Sequence, residues 1–123
     1  MSHENLHQHL PHNHGQRIEN ALEALPAVED FHILSDLFRQ FSDSNRIKLF
    51  WILCHCEECV INLSAMMNMS SPAISHHLKQ LKSAGLIVSR RDGKEVYYKA
   101  AESEMVKVLH NMVETLLKIS CPS

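Results

Sequence analysis

Between Ser71 and Lys99 the sequence changes its apolar period from helical to two-residue, and this change constrains the fold more than any other feature. Ser71 followed by Pro72 reads as a helix start, with Ser71 at the N-cap and Pro72 at the first helical position, where its missing N–H costs nothing. From Pro72 to Ala84, Ile74, Leu78 and Leu81 recur at four- and three-residue steps and stack on one face. The opposite face holds His76, Lys79 and Ser83, with Ser75 and Gln80 flanking. Gly85 follows at the C-cap, where glycine is favoured. Leu86–Arg91 and Glu95–Lys99 are then β-prone runs joined at Asp92-Gly93, a hairpin signature. A helix with a polar outer face followed directly by a basic hairpin is the unit that the rest of the chain must support.

The flanks read as helices. Pro26 interrupts the stretch from Glu19 to Phe41, leaving a short helix and a second one with Phe31, Leu34, Phe38 and Phe41 on one side. Asp43 or Ser44 can cap a third helix that sends Ile47, Phe50, Trp51 and Cys54 into the core, and a short fourth helix spans Asn62 to Asn68. The last helix, Glu102 to Ser120, carries Met105, Leu109, Met112, Leu116 and Ile119, widened by Val106, Val113 and Leu117. Such a stripe can pack on the chain's own core, but a 123-residue chain has few elements to cover so broad a face, and the reading preferred is a dimer interface. Residues 1–16 contain His3, His7, His9, His12 and His14 without apolar periodicity, which describes a flexible arm whose imidazoles could recruit a transition metal. The expected organisation is this arm and a single domain over 17–123: mainly α with a small β-hairpin, a winged helix-turn-helix with helical dimerisation elements at both ends.

Composition narrows the function classes. No apolar run approaches a membrane span, and the start lacks a secretory apolar region, so a cytoplasmic protein with reduced thiols and no membrane partner is expected. The net charge of −2 hides an asymmetry. Residues 1–60 carry four Lys/Arg against nine Asp/Glu, whereas 61–123 carry eight against five. The positive charge concentrates around the polar-faced helix and hairpin, a stripe suited to phosphates. With neither a phosphate loop nor an arrangement of acid, base and nucleophile, the chain does not read as an enzyme.

Cys54, Cys56 and Cys59 crowd into six residues as Cys-x-Cys-x-x-Cys at a helix end. Thiolates so placed could enclose a soft or borderline ion of the Zn, Cd, Pb, Cu(I) or As(III) type, with His55 or an arm histidine as a fourth ligand. Cys54 also lies on its helix's apolar stripe, so a plain core role stands beside ligation for that residue. His110 and Glu114 are i, i+4 neighbours that could hold a metal, although an ordinary surface pair is the preferred reading. A metal-sequestering protein without a DNA role would account for the cysteines and histidines but not for the basic hairpin.

The order of elements, with Ser42-Asp43-Ser44-Asn45-Arg46, Ser75-His76-His77-Leu78-Lys79-Gln80-Leu81, Ala84-Gly85-Leu86-Ile87 and Gly93-Lys94-Glu95-Val96-Tyr97-Tyr98, resembles the ArsR/SmtB family over about residues 27–120. The resemblance implies a homodimeric repressor that binds an inverted repeat in double-stranded operator DNA and is released by a metal or an oxidant. It places Ser71, Ser75 and His76 at base edges, Lys79 and Gln80 nearby, and Arg90, Arg91 and Lys94 on the backbone or minor groove. His77, toward the apolar flank, reads as a half-buried hydrogen-bonding residue. The family's thiolate pair is only half present, in Cys59-Val60-Ile61-Asn62, and its last-helix site reads Glu102, Glu104, Thr115 and Lys118, which departs from the usual ligands. Some relatives pair a cysteine in an early core helix with one in the final helix. This implies Cys54 with Cys121 as the alternative, a dithiol switched by oxidant or reactive sulfur.

Overall fold

The computed structural model describes residues 10–120, without the side chains of 119 and 120. Its elements are α1 (Glu19–Glu23), α2 (Val28–Gln40), α3 (Ser44–His55), β1 (Glu58–Cys59), α4 (Val60–Met67), α5 (Ser71–Ser83), β2 (Ile87–Asp92), β3 (Glu95–Ala100) and α6 (Glu104–Ser120). Contacts divide the chain into two units, and the division falls inside α2, between Asp36 and Leu37. In the first unit α1 ends ahead of Pro26, and the Ala27 N–H donates to the Asp30 carboxylate at 3.1 Å as α2 begins. Val28, Phe31, Ile33 and Leu34 of α2 are exposed.

The second unit contains the core. Leu49, Phe50 and Leu53 of α3, Leu63 of α4, and Ile74, Leu78 and Leu81 of α5 are all at most 2 % exposed. Each such side chain contributes roughly 1.5–3 kcal/mol by leaving water, which is what fixes α5 against α3 and α4. Phe41 packs edge-on to Phe50 at 5.3 Å between ring centroids. The buried face of α3 differs from the expected one: Leu49, Phe50, Ile52 and Leu53 point inward, Ile47 and Cys54 are half-buried, and Trp51 is exposed. The run Leu49–Cys54 is apolar all round, so the spacing alone did not single out the inner face.

The caps are specific. Asp43, not Ser44, caps α3, accepting from the N–H groups of Asn45 (2.8 Å) and Arg46 (3.2 Å). Ser70, one residue before the expected Ser71, caps α5 through the Ala73 N–H at 3.3 Å. The Ser71 hydroxyl instead lies 3.1 Å from that of Ser64. At the other end of α5 the cap residue is Ala84, and Gly85 follows with φ +76°; the Gly85 N–H donates to the Lys82 carbonyl and the Leu86 N–H to that of Leu81, both at 3.0 Å. This pair of bonds closes the helix and needs a left-handed residue between them.

The expected hairpin is present, with its two-residue loop at Gly93-Lys94, one position later than Asp92-Gly93: Asp92 pairs with Glu95, and the register continues to Ile87 opposite Ala100. Gly93 has φ +64° at the first loop position, as a tight hairpin turn requires. The two-residue strand β1 had no periodic signal in the sequence. It adds to β3 with Glu58 opposite Tyr98 and Cys59 opposite Tyr97, giving an antiparallel sheet in the order β1-β3-β2. On α6, Val106, Leu109 and Val113 are buried, while Met105, Val108, Leu116 and Leu117 are exposed. No helix among the described residues is long and apolar enough to cross a membrane.

Candidate functional site

Two surfaces of the second unit carry chemistry. The first is the outer face of α5 with the hairpin. Ser75, His76 and Lys79 are exposed opposite the buried Ile74, Leu78 and Leu81. Gln80 is held apart from them: its Oε1 accepts from Arg46 Nη1 at 2.8 Å, while Arg46 Nε and Nη2 donate to the carbonyls of Gln40 (3.0 Å) and Arg39 (3.1 Å). Gln80 therefore ties α5 to Arg46 of α3, which in turn holds the end of α2. His77 is more buried than its expected half-burial, at 9 % exposure, and among the described residues its Nδ1 has no hydrogen-bond partner. Burial lowers its pKa and keeps the imidazole neutral.

On the hairpin, Arg91 and Lys94 are exposed. Arg90 is engaged by Glu57, with Nε to Oε2 at 3.0 Å and Nη2 to Oε1 at 2.7 Å, and its guanidinium lies 4.9 Å from the Tyr97 ring centre. The bidentate bonds hold the Glu57 carboxyl below the usual carboxylate range and raise Arg90. Of the eight residues expected to face DNA, Ser75, His76, Lys79, Arg91 and Lys94 are presented outward, Ser71 is exposed but bonded to Ser64, and Gln80 and Arg90 are committed to partners within the chain.

The second surface lies where α3 ends beside α6. The cysteine cluster of the sequence is spread out here. Cys54 is half-buried in α3, Cys56 is the exposed C-cap residue whose thiol donates to the Ile52 carbonyl at 3.4 Å, and Cys59 is buried in β1. Burial, aided by the charge of Glu114, pushes the Cys54 thiol up to about 11, and burial also raises Cys56. Raised thiols disfavour the thiolate that ligation or exchange requires. Cys121 lies outside the described residues, as do His3, His7 and His9.

The structure gathers one of the expected ligands, His55, with the His110 and Glu114 pair instead of with the cysteines. Among the described residues, the group of three or more potential ligands whose atoms all lie within 4.8 Å of one another is His55, His110 and Glu114. Glu114 Oε1 is 3.3 Å from His55 Nε2 and 3.2 Å from His110 Nε2, and the two Nε2 atoms are 3.2 Å apart. The Trp51 indole N–H donates to the same oxygen at 3.1 Å. Burial pushes the Glu114 carboxyl up, but hydrogen bonds from His110, Trp51 and His55 outweigh it and hold it below its ordinary value. A cleft of about 430 Å³ opens beside the group, lined in part by Cys54, Cys56, Glu57, Lys99, Lys107 and His110. The i, i+4 spacing of His110 and Glu114 was visible in the sequence, whereas their meeting with His55 required the packing of α3 on α6.

An outward-facing second helix after a tight connection, followed by an antiparallel hairpin, defines a winged helix-turn-helix. Residues 43–89 match the model of the family described as "Bacterial regulatory protein, arsR family". The cadmium resistance transcriptional regulatory protein CadC of Listeria innocua is 37% identical over 86 residues, 69% of this chain and 71% of that protein. The transcriptional repressor SmtB homolog of Synechocystis is 27% identical over 103 residues, 84% and 78% of the two chains. Among solved structures, HlyU from Vibrio cholerae superposes with a TM-score of 0.65 at 25% identity, covering 77% of this chain and 99% of that one. The chain belongs to the arsR family of bacterial transcription regulators.

Proposed function

We propose that the protein is a homodimeric repressor that binds an inverted repeat in double-stranded DNA and whose affinity is set by a metal ion. The observation that carries the DNA reading is the exposed row Ser75, His76 and Lys79 on α5, beside Arg91 and Lys94 on the hairpin. In this arrangement α5 enters the major groove, where hydroxyl, imidazole and ammonium groups can read base edges, and the hairpin cations take phosphates. The exposed apolar residues of α6, with Met105 41 % and Val108 62 % exposed, support association with a second copy, which supplies the second half-site. The names of the relatives, a cadmium resistance regulator among them, support a metal effector. The ion would act by binding one conformation of the dimer better than the DNA-competent one.

The test is selection of a duplex from a random library, followed by fluorescence anisotropy against salt. Affinity for the selected inverted repeat exceeds that for a scrambled duplex on this reading. Lys79→Ala and Arg91→Ala each lower affinity, and removing a phosphate contact reduces the salt slope by about one. Equal affinity for selected and scrambled duplexes would overturn it.

A further inference from the structure

We propose that His55, His110 and Glu114 form a binding site for one divalent transition-metal ion of borderline softness, Zn(II) or its near neighbours, joining the end of α3 to the middle of α6. The three ligand atoms make a nearly equilateral triangle with edges of 3.2, 3.2 and 3.3 Å. Nitrogen and oxygen ligands lie roughly 2.0–2.1 Å from a tetrahedral zinc, which separates neighbouring ligand atoms by about 3.3–3.4 Å. An octahedral ion with the same bond length would draw them to about 2.9 Å. The triangle fits one face of a tetrahedron and leaves the fourth position toward the open side.

Hydrogen bonding alone does not satisfy this arrangement. One lone pair of Glu114 Oε1 is taken by the Trp51 indole N–H, and two imidazole nitrogens converge on what remains. If both nitrogens carry protons, the N–H groups oppose each other across 3.2 Å; if neither does, lone pairs face lone pairs; and if only one does, the other nitrogen turns its lone pair on the Glu114 oxygen at 3.2–3.3 Å. A cation held by both nitrogens in their unprotonated form, with the ring protons on Nδ1, satisfies all three contacts at once. The side chains are open enough to take one, with exposures of 43 % for His55, 27 % for His110 and 34 % for Glu114.

Ligand chemistry then narrows the ion. Two imidazoles and a carboxylate favour Zn(II), Co(II) or Ni(II) over the thiophilic Cd(II) or As(III) that a cysteine cluster would select. Position gives the site a regulatory use, and this half of the proposal rests on the DNA-binding reading above. Core residues of α3 pack in one cluster with those of α5, and α6 carries the exposed apolar residues. An ion that fixes α3 to α6 therefore acts on the element that orients the DNA-facing helix and on the one proposed to join the two copies.

The experiment titrates the metal-free, reduced full-length protein with Co(II), followed by Zn(II) competition, with DNA affinity measured on the same samples. A companion variant replaces His3, His7, His9, His12 and His14 by Asn, so that binding by those histidines is counted separately. The site gives one Co(II) per chain, the strong visible bands of four-coordinate cobalt, no thiolate charge-transfer band, and displacement by Zn(II). His55→Ala, His110→Gln and Glu114→Gln each weaken binding by about 100-fold or more, above the loss expected from an outer partner alone. Cys54→Ser, Cys56→Ser, Cys59→Ser and the companion variant retain the bound ion and its spectrum. Unchanged Co(II) affinity in the His110 and Glu114 variants, or a charge-transfer band lost with the cysteines, overturns the site. If that happens while the selected duplex still binds, the DNA reading stands without it. If cobalt binds as described and no duplex is preferred, the site stands and its regulatory use falls. Circular dichroism of each variant verifies that lost binding is not lost folding.

Discussion

Asp43 and His77 both make the fold less stable in acid, over different ranges of pH. Backbone N–H groups of Arg46 and Asn45 hold the Asp43 carboxyl below its ordinary value. Its contribution is therefore complete above the usual carboxylate range and is lost as the pH falls through the lowered value. Asp43→Ala is expected to lower the urea midpoint at neutral pH, with the gap to the native protein closing in strong acid. Burial holds His77 below its ordinary imidazole value, so near about pH 6.5 the unfolded chain takes up a proton that the folded chain resists. Stability then falls as the pH drops through that range, and His77→Phe is expected to fall less between about pH 7.5 and about pH 5.5. The apolar stripe of α5 made the inward lean of His77 legible. That its Nδ1 lacks a partner among the described residues depends on neighbours from elsewhere in the fold, which the local pattern does not name.

At the scale of elements, the end of α5 and the hairpin offer separate tests. A Cβ built at Gly85 meets nothing within 4 Å, so Gly85→Ala is penalised only by the left-handed backbone. The expected loss is about 1–2 kcal/mol in urea unfolding with an unchanged slope, and less for Gly85→Asn. On the hairpin, Glu57 holds Arg90, and on the proposed DNA reading it would compete with phosphate for that guanidinium. Glu57→Gln is expected to raise DNA affinity and to steepen its salt dependence by up to about one counterion, readable by anisotropy. The helices and the hairpin were legible because Pro26, Pro72, Gly85 and Gly93 punctuate them. The strand β1 was not: Glu58-Cys59 has no period to detect and becomes a strand only because Tyr97 and Tyr98 lie alongside.

For the whole molecule, the exposed apolar residues of α6 are the feature to test. Val108→Glu puts a charge into the proposed contact between copies and is expected to weaken dimerisation about tenfold or more, seen by sedimentation, with DNA affinity falling in parallel. The breadth of this stripe was plain in the sequence, and the structure separates its buried residues Val106, Leu109 and Val113 from the exposed ones. The candidate metal site was legible only in fragments. The cysteines drew attention because they are neighbours in the chain, yet the group of ligand atoms within 4.8 Å of one another among the described residues does not include their three thiols, and Cys59 lies in a strand. His55 and His110 are distant in sequence and meet through α3 and α6, a relation that no local spacing encodes. Trp51 is the chain's single tryptophan, and its ring lies 4.2 Å from that of His55 while its N–H rests on Glu114. Tryptophan emission thus comes from one indole at the junction of α3 and α6, and the unlabelled protein carries its own optical gauge of how that junction moves in real time.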